Sequence, residues 1–131
     1  QSLKTGVVDG AENNWPSYES TGHYEVAPYY SISQHLIIPE ILAINADVYN
    51  KLSAADQKIL KDAAQESALL QRKLWKERAK ASEAKVMAGG VKANAIPDKS
   101  AFQAAMKPVY AGFLKKNPGL KPLVELIQNT P

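Results

Sequence analysis

The stretch SAADQKILKDAAQESALLQRKLW, residues 53–75, is the part of the sequence that most clearly determines the fold. Its apolar side chains recur at the spacing of one helix face, at Ile59, Ala63, Leu70 and Leu74. Its opening resembles a capping box, with Ser53 as N-cap and Asp56 in the place of the preferred Glu. We therefore predict a helix over residues 53–88 that stops at Gly89-Gly90. At 1.5 Å per residue this helix is about 50 Å long, a length typical of a helix that spans two bodies.

The segments before this helix predict a helix end, a strand and a second helix. The opening letters, QSLKTG, have the pattern of the last turn of a helix that ends at Gly6, so we expect a piece of a longer protein. Residues 6–10 predict a short buried strand closed by an Asp-Gly turn. Residues 14–25 predict a helix with Asn14 as N-cap and Pro16 in its first turn.

The other segments complete a mixed α/β fold with few strands and many helical residues. Residues 29–45 are rich in aromatic and β-branched side chains and predict one long strand, or two collinear strands, interrupted at Pro39. A helical turn and a brief strand are predicted over residues 47–52 and 91–96. The C-terminal helices are predicted over residues 98–128, with a kink at Pro108.

The composition is that of a globular domain and argues against two classes of partner. The chain has 131 residues, of which 45% are hydrophobic and 22% charged. No apolar run approaches the roughly 18 residues of a membrane span. The net charge of +3 is small, and the densest basic run, residues 72–80, is interrupted by Glu77. We therefore expect no nucleic-acid binding, which requires concentrated positive charge.

The residues expected of catalytic, metal and nucleotide sites are not arranged for those chemistries. Cysteine is absent, and the two histidines, His23 and His35, are not a helical pair of metal ligands. No serine lies in a nucleophile-elbow motif, and the glycines do not form a phosphate-binding loop. We therefore expect a protein that is not an enzyme and that carries no cofactor or metal.

One polar and aromatic cluster has the chemistry of a ligand-binding surface. Four consecutive residues offer carboxylate, amide and indole groups: Glu12, Asn13, Asn14 and Trp15. Gln34 and His35 add polar groups at a break in the segment that follows. Amides and aromatic faces suit polyol and carboxylate ligands. The alternative is that the asparagines only cap a helix and that Trp15 packs into the core, and residue types alone favour neither interpretation.

The order of these segments resembles that of a known family. The run SLKTGVVDGAENNWPSYESTGHYEVAPYYSISQHLIIPEILAIN, followed by LSAADQKILKDAAQESALLQRKLW, is similar to the C-terminal half of TRAP-transporter solute-binding proteins of the DctP type. The resemblance implies an α/β chain, part of a two-lobed periplasmic binding protein of type II-like fold, with a long helix across both lobes. It also implies that residues 1–131 lack the first lobe.

The same resemblance implies a function and a set of binding residues. It implies a periplasmic receptor for an organic acid, similar to members that bind sugar acids such as uronates, which delivers its ligand to membrane permease subunits. Asn13 matches the family asparagine that binds the ligand carboxylate. Glu12, Asn14 and Trp15 are implied contacts to hydroxyls or ring faces, and Gln34 and His35 are weaker matches. The family's carboxylate-binding arginine has no counterpart, because Arg72 and Arg78 lie in the long helix.

Two further expectations concern assembly. Strands without neighbours would expose unpaired edges and apolar surface, so we expect a homodimer or a swapped oligomer. The alternative to a receptor is a helical protein-interaction module without a small-molecule ligand. Against that alternative, the apolar stripe of the long helix does not keep a heptad spacing through residues 76–85.

Overall fold

A computed structural model describes residues 1–130, and its contacts divide the chain into two compact units, Gln1–Asn94 and Ala95–Pro131. The first unit holds α1 (Ser2–Thr5), α2 (Trp15–Ser20), a 3-10 turn (His23–Glu25), β1 (Tyr29–Ile32), α3 (Ala46–Asn50) and α4 (Ala54–Ala88). It ends within β2 (Lys92–Ala95), which pairs with β1 in a two-stranded sheet. The second unit holds α5 (Ser100–Lys116), a 3-10 turn (Pro118–Leu120) and α6 (Lys121–Gln128). The predicted class, α/β with a long helix and few strands, is confirmed.

The predicted long helix is present as α4, which has 35 residues. Ser53 caps it, since its Oγ accepts from the Asp56 amide at 3.1 Å and donates to the Asp56 carboxylate at 2.7 Å. The helix ends at Gly89, and Gly90 is the residue in the left-handed region, with φ of 95°. Among residues 1–130 no helix is both long enough and apolar enough to cross a membrane.

The predicted strand at residues 6–10 is wrong, because its backbone serves as the end of α1. Gly6 has φ of 72°, and the Val7 amide donates to the Ser2 carbonyl at 3.0 Å. This amide is therefore not available for a strand ladder. Val7 is 75% exposed, which also contradicts the predicted burial.

The predicted strand over residues 29–45 is confirmed only over Tyr29–Ile32. The short β2 is the partner that the described chain offers to β1, and Gln34, with φ of 48°, turns the backbone out of the extended region. Residues 33–45 contain neither helix nor strand, and Ile37 is 97% exposed. The apolar pattern alone therefore did not determine a strand, since a strand also needs a neighbour for its backbone groups.

The helix predicted over residues 14–25 is divided into two pieces by a glycine. α2 stops at Ser20, and Gly22 takes φ of 68° before the 3-10 turn begins. This left-handed conformation suits glycine, which has no Cβ to clash with the backbone. As a result, α2 is short, and the residues that follow it turn back toward β1.

The core of the first unit lies where α2 meets the C-terminal part of α4. Its buried apolar residues are Tyr18, Val86 and Val91, and three half-buried aromatic rings pack against them, from Trp15, Tyr24 and Tyr30. The N-terminal two-thirds of α4 has no buried residue. Tertiary packing therefore holds α2 and β1 against one end of the long helix.

The second unit consists of the predicted C-terminal helices. The Asp98 carboxylate accepts from the Ser100 amide at 2.8 Å and so satisfies a donor at the start of α5. This bond holds the pKa of Asp98 below its usual range. Pro108 lies inside α5, and the kink expected there stays a prediction.

Candidate functional site

Asn14 is positioned by the first turn of α2. Its backbone is extended, and its side-chain Oδ1 accepts from the Ser17 amide at 2.9 Å. Pro16 follows in the first turn, where its missing amide hydrogen is not needed. The Asn14 side chain is therefore the N-cap of α2, as predicted, and its oxygen already has a partner within the chain.

Asn13 is exposed, and its backbone is held by a tyrosine of β1. The Tyr30 hydroxyl donates to the Asn13 carbonyl at 2.7 Å, and the Asn13 Oδ1 accepts from the Asn14 amide at 2.9 Å. Within residues 1–130 the Asn13 amide nitrogen makes no hydrogen bond, so its two hydrogens can be donated to a ligand.

Trp15 is half-buried and packs on the aromatic core. Its ring lies 3.8 Å from the Tyr30 ring, with an angle of 19° between the planes. It meets Tyr18 edge-on, with the ring centroids 6.2 Å apart. The core alternative is therefore correct as to where Trp15 packs. Because Tyr30 covers one face of the indole, only the uncovered parts of the ring can contact a ligand.

Residues 33–35 lie beside residues 12–15. The His35 Nε2 is 3.8 Å from the Glu12 carboxylate, and the Ser33 hydroxyl is 2.6 Å from the His35 Nδ1. The side chains of His35 and Glu12 are 48% and 65% exposed. Gln34 is exposed and has a left-handed backbone, which is uncommon for a residue other than glycine.

The six residues proposed from the sequence therefore lie on two adjacent loops, residues 12–15 and 33–35, which we call the polar loops. Tyr30 joins the two, because it stacks on Trp15, donates to Asn13 and lies on the strand that leads into residue 33. Burial raises the pKa of the Tyr30 hydroxyl, so it stays a hydrogen-bond donor at neutral pH. Tyr30 could not be selected from the sequence, because it resembles any aromatic residue of a strand.

Glu19 is a second residue that the sequence did not reveal. It lies on α2, is 8% exposed, and forms ion pairs with Arg78 and Lys85 of α4. The hydrogen bond from Lys85 and the positive charges of both partners hold the pKa of Glu19 below its usual value. The same bond raises the pKa of Lys85. Arg78 is thus engaged within the fold by Glu19.

Two other features lie apart from the polar loops. A groove of about 360 Å³ is formed by residues 42–44, Tyr49 and one face of α4, and none of the six proposed residues lines it. No group of His, Asp and Glu side chains within residues 1–130 is arranged to hold a metal ion. For ligand binding, the polar loops offer hydrogen-bonding groups and the uncovered part of the Trp15 indole.

The chain resembles known proteins over nearly all of its length. The model of the family described as bacterial extracellular solute-binding protein, family 7 (DctP) matches residues 1–117. A solute-binding protein of Chromohalobacter salexigens is 53% identical over 129 residues, which are 98% of this chain and 38% of the relative.

Two solved structures of relatives, each with a bound ligand, also match nearly the whole of this chain. A TRAP periplasmic solute-binding protein from Roseobacter denitrificans with bound β-D-glucuronate is 62% identical, with a TM-score of 0.93, over 100% of this chain and 43% of that one. One from Sulfitobacter sp. NAS-14.1 with bound β-D-galacturonate is 57% identical, with a TM-score of 0.90, over 99% and 43%. This chain spans about two-fifths of the length of these relatives. It belongs to the DctP family of bacterial extracellular solute-binding proteins, family 7.

Proposed function

We propose that this chain is the C-terminal part of an extracytoplasmic solute receptor for a TRAP-type transporter, and that its polar loops form one wall of a sugar-acid site. The observation that carries the proposal is the side-by-side placement of the polar loops on α2 and β1, with Asn13 exposed. The relatives with bound glucuronate and galacturonate support a uronate as the ligand.

The wall would bind such a ligand by hydrogen bonding alone. The Asn13 amide donates to the ligand carboxylate, and the Glu12 carboxylate and His35 ring meet sugar hydroxyls. The indole of Trp15 contacts the apolar side of the sugar along its uncovered part. Asn14 contributes its amide hydrogens, because its oxygen caps α2, and Gln34 extends the wall on the second loop. The ligand leaves unchanged, in keeping with a family of receptors and not of enzymes.

The opposite wall would come from the first lobe of a complete receptor. A carboxylate is best bound by a bidentate arginine, and Arg78 is paired with Glu19. We therefore expect residues 1–131 alone to bind uronates weakly. Closure of two lobes around the ligand would remove water and strengthen each hydrogen bond. The receptor would act in the periplasm and pass its ligand to membrane permease subunits.

Calorimetric titration tests this proposal. A complete receptor that carries this chain should bind glucuronate or galacturonate and should bind glucose, which lacks the carboxylate, at least about tenfold more weakly. The chain of residues 1–131 should show no saturable binding in the micromolar range. Equal affinity for glucose and glucuronate would contradict an acid site, and micromolar binding by the chain alone would contradict a shared one.

We further propose that the isolated chain self-associates. Many large apolar side chains are exposed, including Ile37, Ile41 and Leu42 after β1 and Ile59, Leu69 and Leu70 on α4. The exposed residues of α4 also favour the second candidate, a helical module that binds another protein. Loss of Asn13 separates the two, since it should weaken uronate binding by a receptor and leave a helical module unaffected.

A further inference from the structure

Glu19 lies on the same helix that carries the first polar loop. Asn14 caps α2, Trp15 is its first residue, and Glu19 lies one turn after Trp15. Because α2 is only six residues long, a contact near its end constrains the orientation of its beginning. The ion pairs of Glu19 are therefore close in the structure to the groups proposed to bind ligand.

One face of α4 is shaped to receive α2. Arg78, Ser82 and Lys85 follow one another at intervals of four and three residues, so they lie on the same side of the helix. Ser82 is fully buried, and its hydroxyl has no hydrogen-bond partner within residues 1–130. The cations on both sides of Ser82 along this face, Arg78 and Lys85, reach the Glu19 carboxylate of α2.

The contacts continue from this face to both polar loops. Tyr18, next to Glu19, donates its hydroxyl to the Ala27 carbonyl at 2.6 Å, just before β1. Tyr30 of β1 in turn stacks on Trp15 and donates to Asn13. A tilt of α2 would therefore move Asn13 relative to residues 33–35.

We propose that Glu19 is a positioning residue for ligand binding: held by Arg78 and Lys85, it fixes the orientation of α2 and thereby the spacing between the polar loops. The inference rests on the proposed receptor function. Ion pairs with half-exposed cations add only modestly to stability, and apolar residues of similar volume could replace the whole set without loss. Directional bonds from two cations to one carboxylate do, however, restrict the angle at which two helices meet.

The first experiment measures glucuronate affinity in a complete receptor that carries this chain. Glu19→Gln keeps the volume of the side chain and removes its charge. We expect it to weaken glucuronate binding by about 2- to 30-fold. Circular dichroism should show that the variant receptor is still folded. Glu77→Gln, which removes a carboxylate from an exposed position of α4, is the matched control and should leave the affinity unchanged. The variant Glu19→Lys with both Arg78→Glu and Lys85→Glu should restore part of the affinity lost in Glu19→Lys, because it reverses both ion pairs. Unchanged affinity in Glu19→Gln, or failure of the reversed ion pairs to restore any, would overturn the positioning role.

A second experiment is independent of ligand. In residues 1–131, nuclear magnetic resonance should show that Glu19→Gln shifts the Ser17 amide, which Asn14 caps, and the Trp15 indole, while Glu77→Gln does not. If the complete receptor bound no uronate, the proposed function would fail, and these shifts would still decide whether Glu19 orients the loop. Unshifted Ser17 and Trp15 signals would contradict the proposal that Glu19 orients the loop. If Glu19→Gln did not fold, the variant with both ion pairs reversed would be compared with wild type by the same signals.

Discussion

At the scale of single residues, Glu19 is a charged side chain that folding removes from water. Its two partners remain half-exposed, with side-chain exposures of 49% for Arg78 and 63% for Lys85. The carboxylate is compensated because both cations reach it. The polar loops show the opposite arrangement, since Glu12, Asn13 and His35 keep their side chains exposed. Glu19 and its two partners thus stabilise the fold, whereas the side chains of the polar loops are available to a ligand.

The ion pairs of Glu19 predict a dependence of stability on pH. The pKa of Glu19 is lower in the folded than in the unfolded chain, whose value is near 4.5. Its contribution is therefore complete above that pH and is lost as the pH falls through the folded pKa. Chemical denaturation should show that Glu19→Gln lowers the free energy of unfolding at pH 7 and that its difference from wild type shrinks toward pH 3. A difference that stayed constant from pH 7 to pH 3 would contradict this cause.

At the scale of elements, the long helix and the brief strand predicted over residues 91–96 were predictable, whereas the extent of the strand over residues 29–45 was not. The bounds of α4 follow from local signals, a Ser53 cap, a periodic apolar face and two glycines, which need no distant partner. The segment over residues 29–45 has a strand composition, but a strand forms only where β2 meets it, at Tyr29–Ile32. The six polar-loop residues were selected from the sequence by type, and their role stays a prediction. The bond from Tyr30 to Asn13 and the ion pairs of Glu19 were not predictable, because they join residues far apart in sequence.

The cap of α4 gives a test at this scale. Ser53→Ala removes the acceptor of the Asp56 amide and should lower stability by about 1 kcal/mol in thermal unfolding followed by circular dichroism. Ser67→Ala, at an exposed interior position of the same helix, is the control and should have no effect or a small stabilising one, since alanine is the better helix former. Equal effects of the two substitutions would show that the Ser53 cap does not stabilise α4.

At the scale of the whole molecule, packing is uneven. Pro16, Tyr18, Val86 and Val91 are the buried apolar residues identified within residues 1–130, whereas apolar side chains after β1 and along α4 are exposed. The chain also corresponds to about two-fifths of the length of its relatives. Both observations indicate that the exposed apolar residues of this chain need further protein surface to cover them.

From this exposure we expect the isolated chain to self-associate. Light scattering of residues 1–131 should show dimers or larger species whose fraction rises with concentration. Ile37→Lys places a charge in the most exposed apolar segment and should reduce that fraction, while Gln71→Lys adds the same charge to an exposed polar position of α4 and should not. A monomer at high concentration would contradict the expectation.

The proposed receptor function depends most on Asn13. Calorimetric titration with glucuronate should show that Asn13→Ala weakens binding by a complete receptor carrying this chain by about 10- to 100-fold, the loss expected for a hydrogen bond to a charged group. Asn50→Ala, at the exposed end of α3, is the matched control and should bind as wild type does. If Asn13→Ala bound glucuronate as tightly as the control, the polar loops would not be a wall of the site.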